Sequence, residues 1–511
     1  MGTGGGTLMK VVKKGTDKED AREESIPFFV TLTVYFSYAV LILFGYLRDI
    51  GRKLLPESWL PKRALSKEVA REGYGPLLED FDDFYTRRLY RRIRDCWNRP
   101  IASAPGPWVD VMERHSDDYN VTLNVTGTTK RCLNLASYNY LGFADPKAKW
   151  NKDVVQSAEK FGPAMGSARA EVGTTFVHRE LERCIAEYVG KPAALTLGMG
   201  FATNAFMISA FCGKGDLLIS DSLNHASIVV GARASGSKIT VFKHNDAEDL
   251  ERVIRRAIID GQPKTHRPWR KIVIIVEGLY SMEGEICCLK EIVEIKKKYK
   301  CYLYVDEAHS IGALGENGRG VCEYFGVDPA DVDVLMGTFT KSFGSVGGYI
   351  ASSEEVVKYL RCRTPGYLYA TAMAPPCAQQ ALTALRIILG EDGTDMGRKK
   401  IAQLRSNSML FRKRLKEMGC LVLGDDDSPI IPVMLYAPAK MPMFSRHSLE
   451  RNLAVVVVGF PATPLLEARV RFCLSAGHTT EDLEHALKQV EEVVDICALR
   501  YMGKPKNEIA A

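Results

Sequence analysis

Short apolar runs recur along the chain from about residue 131, and polar or small residues follow each of them. Helical stretches separate several of these runs, for example at 250–259 and 289–299. Strands that alternate with helices are typical of a mostly parallel sheet covered by helices on both faces. The pattern therefore predicts an α/β fold with a large sheet domain. The predicted strands are 193–197, 217–220, 239–242, 272–276, 302–305 and 332–337.

A second region with a different pattern begins at about residue 390 and predicts a smaller α+β domain. It is expected to contain a helix at 398–418, strands near 430–436 and 453–458, and a last helix at 480–499. We therefore place the large domain at 131–389, the small domain at 390–500 and a tail at 501–511.

The N-terminal part contains twenty-two residues without a charge, from Ile26 to Leu47. A helix of that length spans roughly 33 Å, and the hydrocarbon core of a bilayer is about 30 Å thick. This predicts a transmembrane helix at 26–47, with tyrosines near the interfaces. A signal peptide and a buried core helix are the alternatives, but the run is too long and begins too late for a signal. Basic residues flank both sides, so the orientation stays open.

The segments on either side of this run are polar. Residues 1–25 are rich in Gly, Lys and Glu, which predicts a disordered N-terminus. Residues 48–130 are predicted to form a basic connector, with a helical pattern at 84–90.

Composition and charge are those of an ordinary globular protein and point to neither a nucleic-acid-binding nor a metal-binding protein. The chain has 511 residues, of which 46% are hydrophobic and 25% charged, as in ordinary globular proteins. Its net charge of +6 is nearly balanced and gives no argument for nucleic acid. A basic run at 252–271 is interpreted as a solvated face, with contact to CoA phosphates or anionic lipid as the alternative. Thirteen scattered cysteines without metal-like spacing predict free thiols and no metal site.

Two residues carry the strongest chemical signal. Asp306 ends an apolar strand, and Lys341 lies downstream in a glycine-rich turn. Ligands of such sheets bind at the carboxyl ends of the strands, where both residues are expected. An enzyme that uses pyridoxal 5'-phosphate (PLP) needs a lysine for the cofactor aldehyde and an acid for its ring nitrogen. Taken alone, Lys341 could be a solvated surface residue and Asp306 a turn cap.

Five ordered motifs, at 198–204, 221–227, 277–284, 306–310 and 338–341, carry a family resemblance. In this order and spacing the set resembles the α-oxoamine synthases, over roughly residues 75–500. These fold-type I PLP enzymes join an amino acid to an acyl-CoA with loss of CO2. The resemblance implies an aspartate aminotransferase-like fold, with a large, mostly parallel sheet domain and a smaller C-terminal domain.

The resemblance also implies roles for single residues. The catalytic group comprises Lys341, Asp306, His225 and His309, with His225 stacked on the PLP ring and His309 touching both cofactor and substrate. Gly200 and Phe201 follow a strand and open a helix, so their backbone N–H groups can hold the PLP phosphate. The further cofactor contacts implied are Ser281, Thr338, Thr340 and Thr371, the last donated across a dimer interface.

The substrate carboxylate needs a fixed cation, and Arg471 matches the carboxylate arginine of the family. A planar guanidinium can bind a carboxylate with two parallel hydrogen bonds. Arg469 is the near competitor. Some bacterial relatives carry an arginine in the preceding Pro-x-x-Pro loop, where this chain has Ala462 and Thr463. Carboxylate binding by that loop is therefore in doubt.

Within the family, the chain is most similar to the membrane-bound branch that condenses L-serine with palmitoyl-CoA to 3-ketodihydrosphingosine. The grounds are the apolar segment and the stretches 99–106, 265–269 and 460–464. This implies a heterodimer with a related subunit that lacks the lysine, and possible small membrane regulatory subunits. It also implies a single-pass location in the endoplasmic reticulum membrane, with the catalytic domain in the cytosol.

Two rival functions remain open at this point. One is a non-catalytic scaffold subunit, against which Lys341 argues. The other is a different PLP enzyme, such as an aminolevulinate synthase or an aminotransferase. A mitochondrial synthase would carry an Arg-rich presequence rather than a charge-free span.

Overall fold

The computed structural model describes residues 28–54, 90–460 and 462–502. The predicted disordered segment 1–25 lies outside the described residues. So do most of the connector between 55 and 89, with nearly all of its helical pattern, and the tail beyond residue 502.

A hairpin precedes the large sheet. It consists of β1 (Trp108–His115) and β2 (Asn124–Asn134), which pair antiparallel. Strand β2 runs across the predicted boundary between connector and large domain at residue 130. The division into domains stays a prediction.

The large sheet has seven strands in the order β3-β9-β8-β7-β6-β4-β5. Strand β9 runs antiparallel to its two neighbours, and the other pairs are parallel. The six predicted strands are confirmed, with ends that differ by two residues at most. The strands are β3 (Ala193–Leu197), β4 (Leu217–Asp221), β5 (Lys238–Phe242), β6 (Ile272–Glu277), β7 (Tyr302–Asp306), β8 (Val334–Thr338) and β9 (Gly348–Ser352).

Helices cover both faces of this sheet, as expected for buried, almost wholly apolar strands. Side chains alternate between faces along a strand. In β6, Val273 and Ile275 belong to one hydrophobic cluster, and Ile274 and Val276 belong to another. The helices of this part are Asn151–Phe161, Phe176–Tyr188, Gly200–Phe211, Ala226–Ala234, Ala247–Asp260, Leu289–Tyr299, Val321–Phe325, Glu354–Arg363, Pro365–Leu368 and Pro375–Leu389.

The small domain contains a separate three-stranded sheet in the order β10-β13-β12. Its strands are β10 (Ile430–Tyr436), β12 (Val456–Val458) and β13 (Ala468–Cys473), and all pairs are antiparallel. The predicted strand 453–458 is in fact two strands, because β11 (Leu453–Ala454) pairs with β2 before the chain enters β12. The helices are Met396–Glu417, Lys440–Glu450 and Thr480–Ile496, and the last ends three residues earlier than predicted.

One helix in the described part of the chain, Phe28–Leu54, is long and apolar enough to cross a membrane. Its Val34 and Tyr38 are buried against Met434 and Tyr436 of the small domain. Most of its other large apolar side chains are exposed. Crossing of a membrane by this helix stays a prediction.

Candidate active site

The site lies at the carboxyl edge of the large sheet. The strands β4, β6, β7 and β8 end there at Asp221, Glu277, Asp306 and Thr338. Parallel strands present the turns that follow them at the same edge, so residues far apart in the chain meet.

Asp306 is held by a fixed set of donors. Its Oδ2 accepts a hydrogen bond of 2.7 Å from the side-chain amide of Asn204, and its Oδ1 accepts one from the Ala308 backbone N–H at 2.9 Å. The Tyr304 hydroxyl donates to the Asn204 Oδ1 at 2.7 Å and so fixes the orientation of the amide. The carboxylate is buried and aimed by these bonds.

Lys341 lies in the turn between β8 and β9. The rings of Phe339 and Phe343 on either side of it are wholly buried and anchor the turn. Burial lowers the pKa of the Lys341 amine from 10.5 to about 8, although the carboxylates of Asp306 and Glu277 act in the opposite direction. The fraction of this amine that is neutral near physiological pH is therefore far larger than for an exposed lysine, and the neutral form can act as a nucleophile or base.

His225 is the N-cap of the helix Ala226–Ala234. Its Nδ1 lies 2.8 Å from the Ser227 hydroxyl, and its backbone N–H donates to the Glu277 Oε1 at 2.5 Å. Burial lowers the pKa of the imidazole, so the ring is neutral. The Phe201 ring lies 6.1 Å away, edge to face. A neutral, flat ring fixed in this way suits stacking on a cofactor ring.

His309 lies deeper in the same edge. Its Nδ1 is 2.8 Å from the Tyr140 hydroxyl, and the ring packs edge-on against Tyr138. Burial lowers the pKa of His309 well below its usual value, and the positive charges of Lys341 and Arg471 add to this effect. The imidazole is therefore neutral, with Nδ1 directed to the tyrosine.

The turn at Gly200 has the shape of a phosphate site. Gly200 opens the helix Gly200–Phe211, and a Cβ atom added to it would lie 3.3 Å from the Thr338 Oγ1. The Thr340 backbone N–H donates to the same Thr338 hydroxyl. The Thr340 hydroxyl lies 2.5 Å from the Thr338 hydroxyl. Helix N–H groups and these two hydroxyls thus converge on one small space, which suits an anion.

Arg471, on β13, reaches the site from the small domain. Its guanidinium lies 4.8 Å from the centroid of the Tyr138 ring, and its Nη1 is 3.4 Å from the Ser281 carbonyl oxygen. Its buried Nε has no hydrogen-bond partner among the described residues. The geometry thus leaves Arg471 with capacity to bind a carboxylate.

Arg469 is placed differently, although it lies only two residues away. It is completely buried and donates to the Met282 carbonyl, the Glu283 carboxylate and both the carbonyl and the carboxylate of Glu467. Its donors are thus directed to protein groups, which favours Arg471 as the substrate arginine.

Two further residues were predicted to contact the cofactor, Ser281 and Thr371. Ser281 is buried beside Arg471, but it is the Ser281 carbonyl that contacts the arginine. Thr371 is exposed and forms an isolated bridge with Ala168. Its predicted role belongs to a neighbouring subunit, so this chain alone leaves it untested.

The residues present fit PLP. A lysine amine of lowered pKa, a buried carboxylate, a neutral imidazole and an anion-binding turn are the four groups that hold such a cofactor. The roles given to the single residues stay predictions.

Several residues at the site were missed by the sequence interpretation or quoted in motifs without a role. Asn204 orients Asp306, and Glu277 receives the His225 N–H. Burial raises the pKa of the Glu277 carboxyl well above its ordinary value, and the charge of Asp306 raises it further. Tyr138 and Tyr140 line the site around His309. Asn204 and Glu277 lie inside the sequence motifs named above, so the sequence could have indicated a role for them. The two tyrosines lie in none of these motifs.

Comparison with known proteins places the chain in a family. The family model "Aminotransferase class I and II" matches residues 130–490. The chain is 55% identical to the long chain base biosynthesis protein 2a of Arabidopsis thaliana, over 94% of this chain and 97% of that protein. It is 52% identical to serine palmitoyltransferase 2 of Dictyostelium discoideum, over 95% of this chain and 98% of that protein.

Solved structures give the same result. The serine palmitoyltransferase of Sphingomonas wittichii superposes with a TM-score of 0.72 at 31% identity, and covers 83% of this chain and 99% of its own. A variant serine palmitoyltransferase from S. paucimobilis with a bound PLP–myriocin aldimine superposes with a TM-score of 0.68 at 29% identity, over 78% of this chain and 93% of that one. The chain therefore belongs to the class I and II aminotransferase family of fold-type I PLP enzymes, within the group of long chain base biosynthesis protein 2 and serine palmitoyltransferase chains.

Proposed function

We propose that the chain is the catalytic subunit of a serine palmitoyltransferase. The reaction joins L-serine to palmitoyl-CoA and releases CoA and CO2, giving 3-ketodihydrosphingosine in the first step of sphingolipid biosynthesis. The observation that carries the proposal is the convergence of Lys341, Asp306 and Arg471 at one edge of the sheet. The names and structures of the relatives support the same substrates.

The cofactor is PLP, which supplies an electron sink when bound. Asp306 would keep a proton on the cofactor ring nitrogen. Gly200, Phe201 and the hydroxyls of Thr338 and Thr340 would hold the phosphate.

The other site residues would act on the substrate. Arg471 would hold the serine carboxylate. Lys341, whose amine is partly neutral, would take the proton from the serine Cα. His309, neutral and fixed by Tyr140, would then orient the substrate carboxylate rather than transfer protons.

A partner subunit is part of the proposal. Exposed apolar side chains lie on three adjacent segments next to the phosphate turn: Val172 is 76% exposed, Met199 61% and Tyr369 80%. Bridges and close contacts join these segments, as between Ala168 and Thr371. We propose that this face binds the lysine-less subunit 1 of the enzyme, so that the complex has one lysine site. Small membrane regulatory subunits would bind elsewhere.

The proposed location is the endoplasmic reticulum membrane, with the catalytic part in the cytosol. The apolar helix Phe28–Leu54 supports an anchor, and a single pass is the form expected from its length.

The test uses the full chain purified with its co-purifying subunit in detergent. PLP absorbance should change on addition of L-serine, and palmitoyl-CoA should then give a long-chain ketone, free CoA and CO2. The Lys341→Ala variant should lack the absorbance of lysine-bound cofactor and form no product. Turnover with glycine and a short acyl-CoA, but none with L-serine and palmitoyl-CoA, would assign the chain to another member of the family.

A further inference from the structure

Residues 281–286 of the large domain form a loop, here called the junction loop, that is bonded to the small domain. Gly284 has a φ of +67°, and a Cβ atom on it would lie 2.7 Å from the Ile430 carbonyl oxygen. The Asp425 backbone N–H donates to the Gly284 carbonyl, and its carboxylate accepts from the Ile286 N–H at 2.8 Å. Position 284 needs a glycine because its φ is positive and because a Cβ atom there would be too close to the small domain. The loop is thus held against the small domain at one end.

Arg469 holds the other end of the junction loop. Its Nη1 donates to the Met282 carbonyl at 2.9 Å and lies 3.4 Å from the Glu283 carboxylate. Its Nε and Nη2 bond to Glu467 on its own chain segment. Arg469 and Glu283 are both buried, so their opposite charges help to offset the loss of water.

Arg471 contacts the same loop from the same strand. Residues two apart on a strand point to the same face. The Arg471 Nη1 lies 3.4 Å from the Ser281 carbonyl oxygen and 3.5 Å from the Met282 sulfur. The two arginines therefore rest side by side on one loop. Arg469 is directed to the protein, whereas the Arg471 Nε inside the site has no hydrogen-bond partner in the part of the chain that the structure describes.

We propose that Arg469 and Glu283 are positioning residues for the L-serine carboxylate. Their ion pair fixes β13 against the junction loop, and so fixes the distance of the Arg471 guanidinium from Lys341. This inference rests on the proposed function of the site. A displacement of about 1 Å between reacting groups can cost on the order of a hundredfold in rate, so a buried pair outside the site can control substrate binding.

The test compares variants of the pair with a surface control. Glu283→Gln removes the negative charge at nearly constant side-chain shape. Arg469→Lys keeps the positive charge but loses the planar guanidinium, which can donate several hydrogen bonds at once. The control, Arg405→Lys, changes an ion pair to Asp427 whose arginine is 61% exposed. All are made in the full chain with its co-purifying subunit, and L-serine affinity is read from PLP absorbance.

We expect the Kd for L-serine to rise about tenfold in both pair variants, the loss typical of one charge-assisted hydrogen bond. PLP affinity and the KM for palmitoyl-CoA should change by less than about twofold, because Arg469 contacts neither. The double variant should lose less than the product of the two single effects, because both act on one pair. Arg405→Lys should leave every constant unchanged.

Hydrogen–deuterium exchange of the cofactor-free protein gives a second readout. In Glu283→Gln, exchange should increase in peptides covering 278–288 and 467–473 and nowhere else. Unchanged serine affinity in both variants would overturn the proposal. So would a parallel loss of serine, PLP and palmitoyl-CoA binding, since that marks a general structural role. A wild-type protein that binds L-serine but makes no ketone would instead contradict the proposed function and leave the positioning role testable by affinity.

Discussion

Lys341 has an amine whose protonation differs between folded and unfolded chain. Burial lowers its pKa from 10.5 to about 8, so between these values the unfolded chain binds more protons than the folded one. Stability of the cofactor-free protein must then rise with pH through this window. Below about pH 8 both states carry the charge, and the folded state bears the full cost of burying it.

Lys341→Met should therefore stabilise the cofactor-free protein at about pH 7, by a few kcal/mol at most, since one pKa unit corresponds to about 1.4 kcal/mol. The advantage should shrink steadily as pH rises from about 8 to about 10. Denaturant unfolding of wild type and variant across this range measures it, with the exposed Lys358→Met as control. An advantage that does not depend on pH would show that packing, and not charge, limits stability here.

Asp306→Asn should leave the fold intact and weaken PLP binding and turnover by orders of magnitude. The amide keeps the size and shape of the side chain, but its nitrogen cannot accept one of the two hydrogen bonds that Asn204 and Ala308 donate to Asp306. The amide also cannot act as counter-ion to a protonated ring nitrogen. Equilibrium dialysis with PLP and circular dichroism separate the two effects. Near-normal turnover would reduce Asp306 to a cap of the strand.

Arg471→Ala should raise the KM for L-serine by about ten- to a hundredfold, as expected for loss of a charged hydrogen-bonding partner. PLP affinity should stay within about twofold, because the residue is assigned to the substrate. Steady-state kinetics at saturating palmitoyl-CoA, together with PLP dialysis, decide it. A large loss of PLP affinity would mean that this arginine holds the cofactor site itself.

For single residues, the sequence predicted that Asp306 and Lys341 lie at the carboxyl edge of the large sheet, because both follow apolar strands. It could not supply their partners. Asn204 and Asp306 are 102 residues apart in the chain and meet only through the strand order of the sheet. Likewise, Arg469 and Arg471 look equivalent in the sequence. Only the structure shows that Arg469 is bonded to Glu283, whereas the Arg471 Nε has no partner among the described residues.

Among the elements, the helix Phe28–Leu54 combines two surfaces. Val34 and Tyr38 pack on the small domain, while Phe36, Leu43 and Phe44 are exposed. A contiguous exposed apolar surface of this kind needs lipid or another apolar partner.

Deleting residues 1–50 should therefore release the chain from membranes and leave PLP binding in place, because the site residues lie far along the chain. Fractionation of cell membranes, followed by a high-salt wash, measures the release. Chain that stays in the membrane fraction after the wash would identify another surface, or a bound subunit, as the main anchor.

Element ends were harder to predict than elements. Six of the seven strands of the large sheet follow from continuous apolar runs, which strands buried on both faces require, whereas β9 was not predicted. The run at 453–458 is just as apolar, yet it splits between two sheets because β2 and β13 both offer a free edge to it. Such a split depends on tertiary neighbours and leaves no mark in the hydrophobic pattern.

For the whole molecule, the exposed apolar face beside the phosphate turn predicts dependence on a partner. The chain expressed alone should aggregate and be nearly inactive, because an interface that includes Val172 and Tyr369 is left in water. Co-expression with a related lysine-less subunit should give a stable one-to-one complex. Light scattering coupled to size-exclusion chromatography, with an activity assay, measures both. A fully active homodimer of this chain would contradict the heterodimer and leave the chemistry standing.

The antiparallel pairing of β9 with β8 affects how the enzyme can bind and release its cofactor. Thr338 at the end of β8 pairs with Gly348 at the start of β9, and the Phe339 N–H donates to the Gly347 carbonyl at 3.0 Å. The turn that carries Lys341 is thus closed on itself, and keeping a short closed loop in place costs little further entropy. The backbone on either side of the amine is held by strand pairing that does not involve the cofactor. We therefore expect the site to lose and regain PLP without unfolding, so that a freshly made chain, together with its partner, can fold first and bind PLP afterwards.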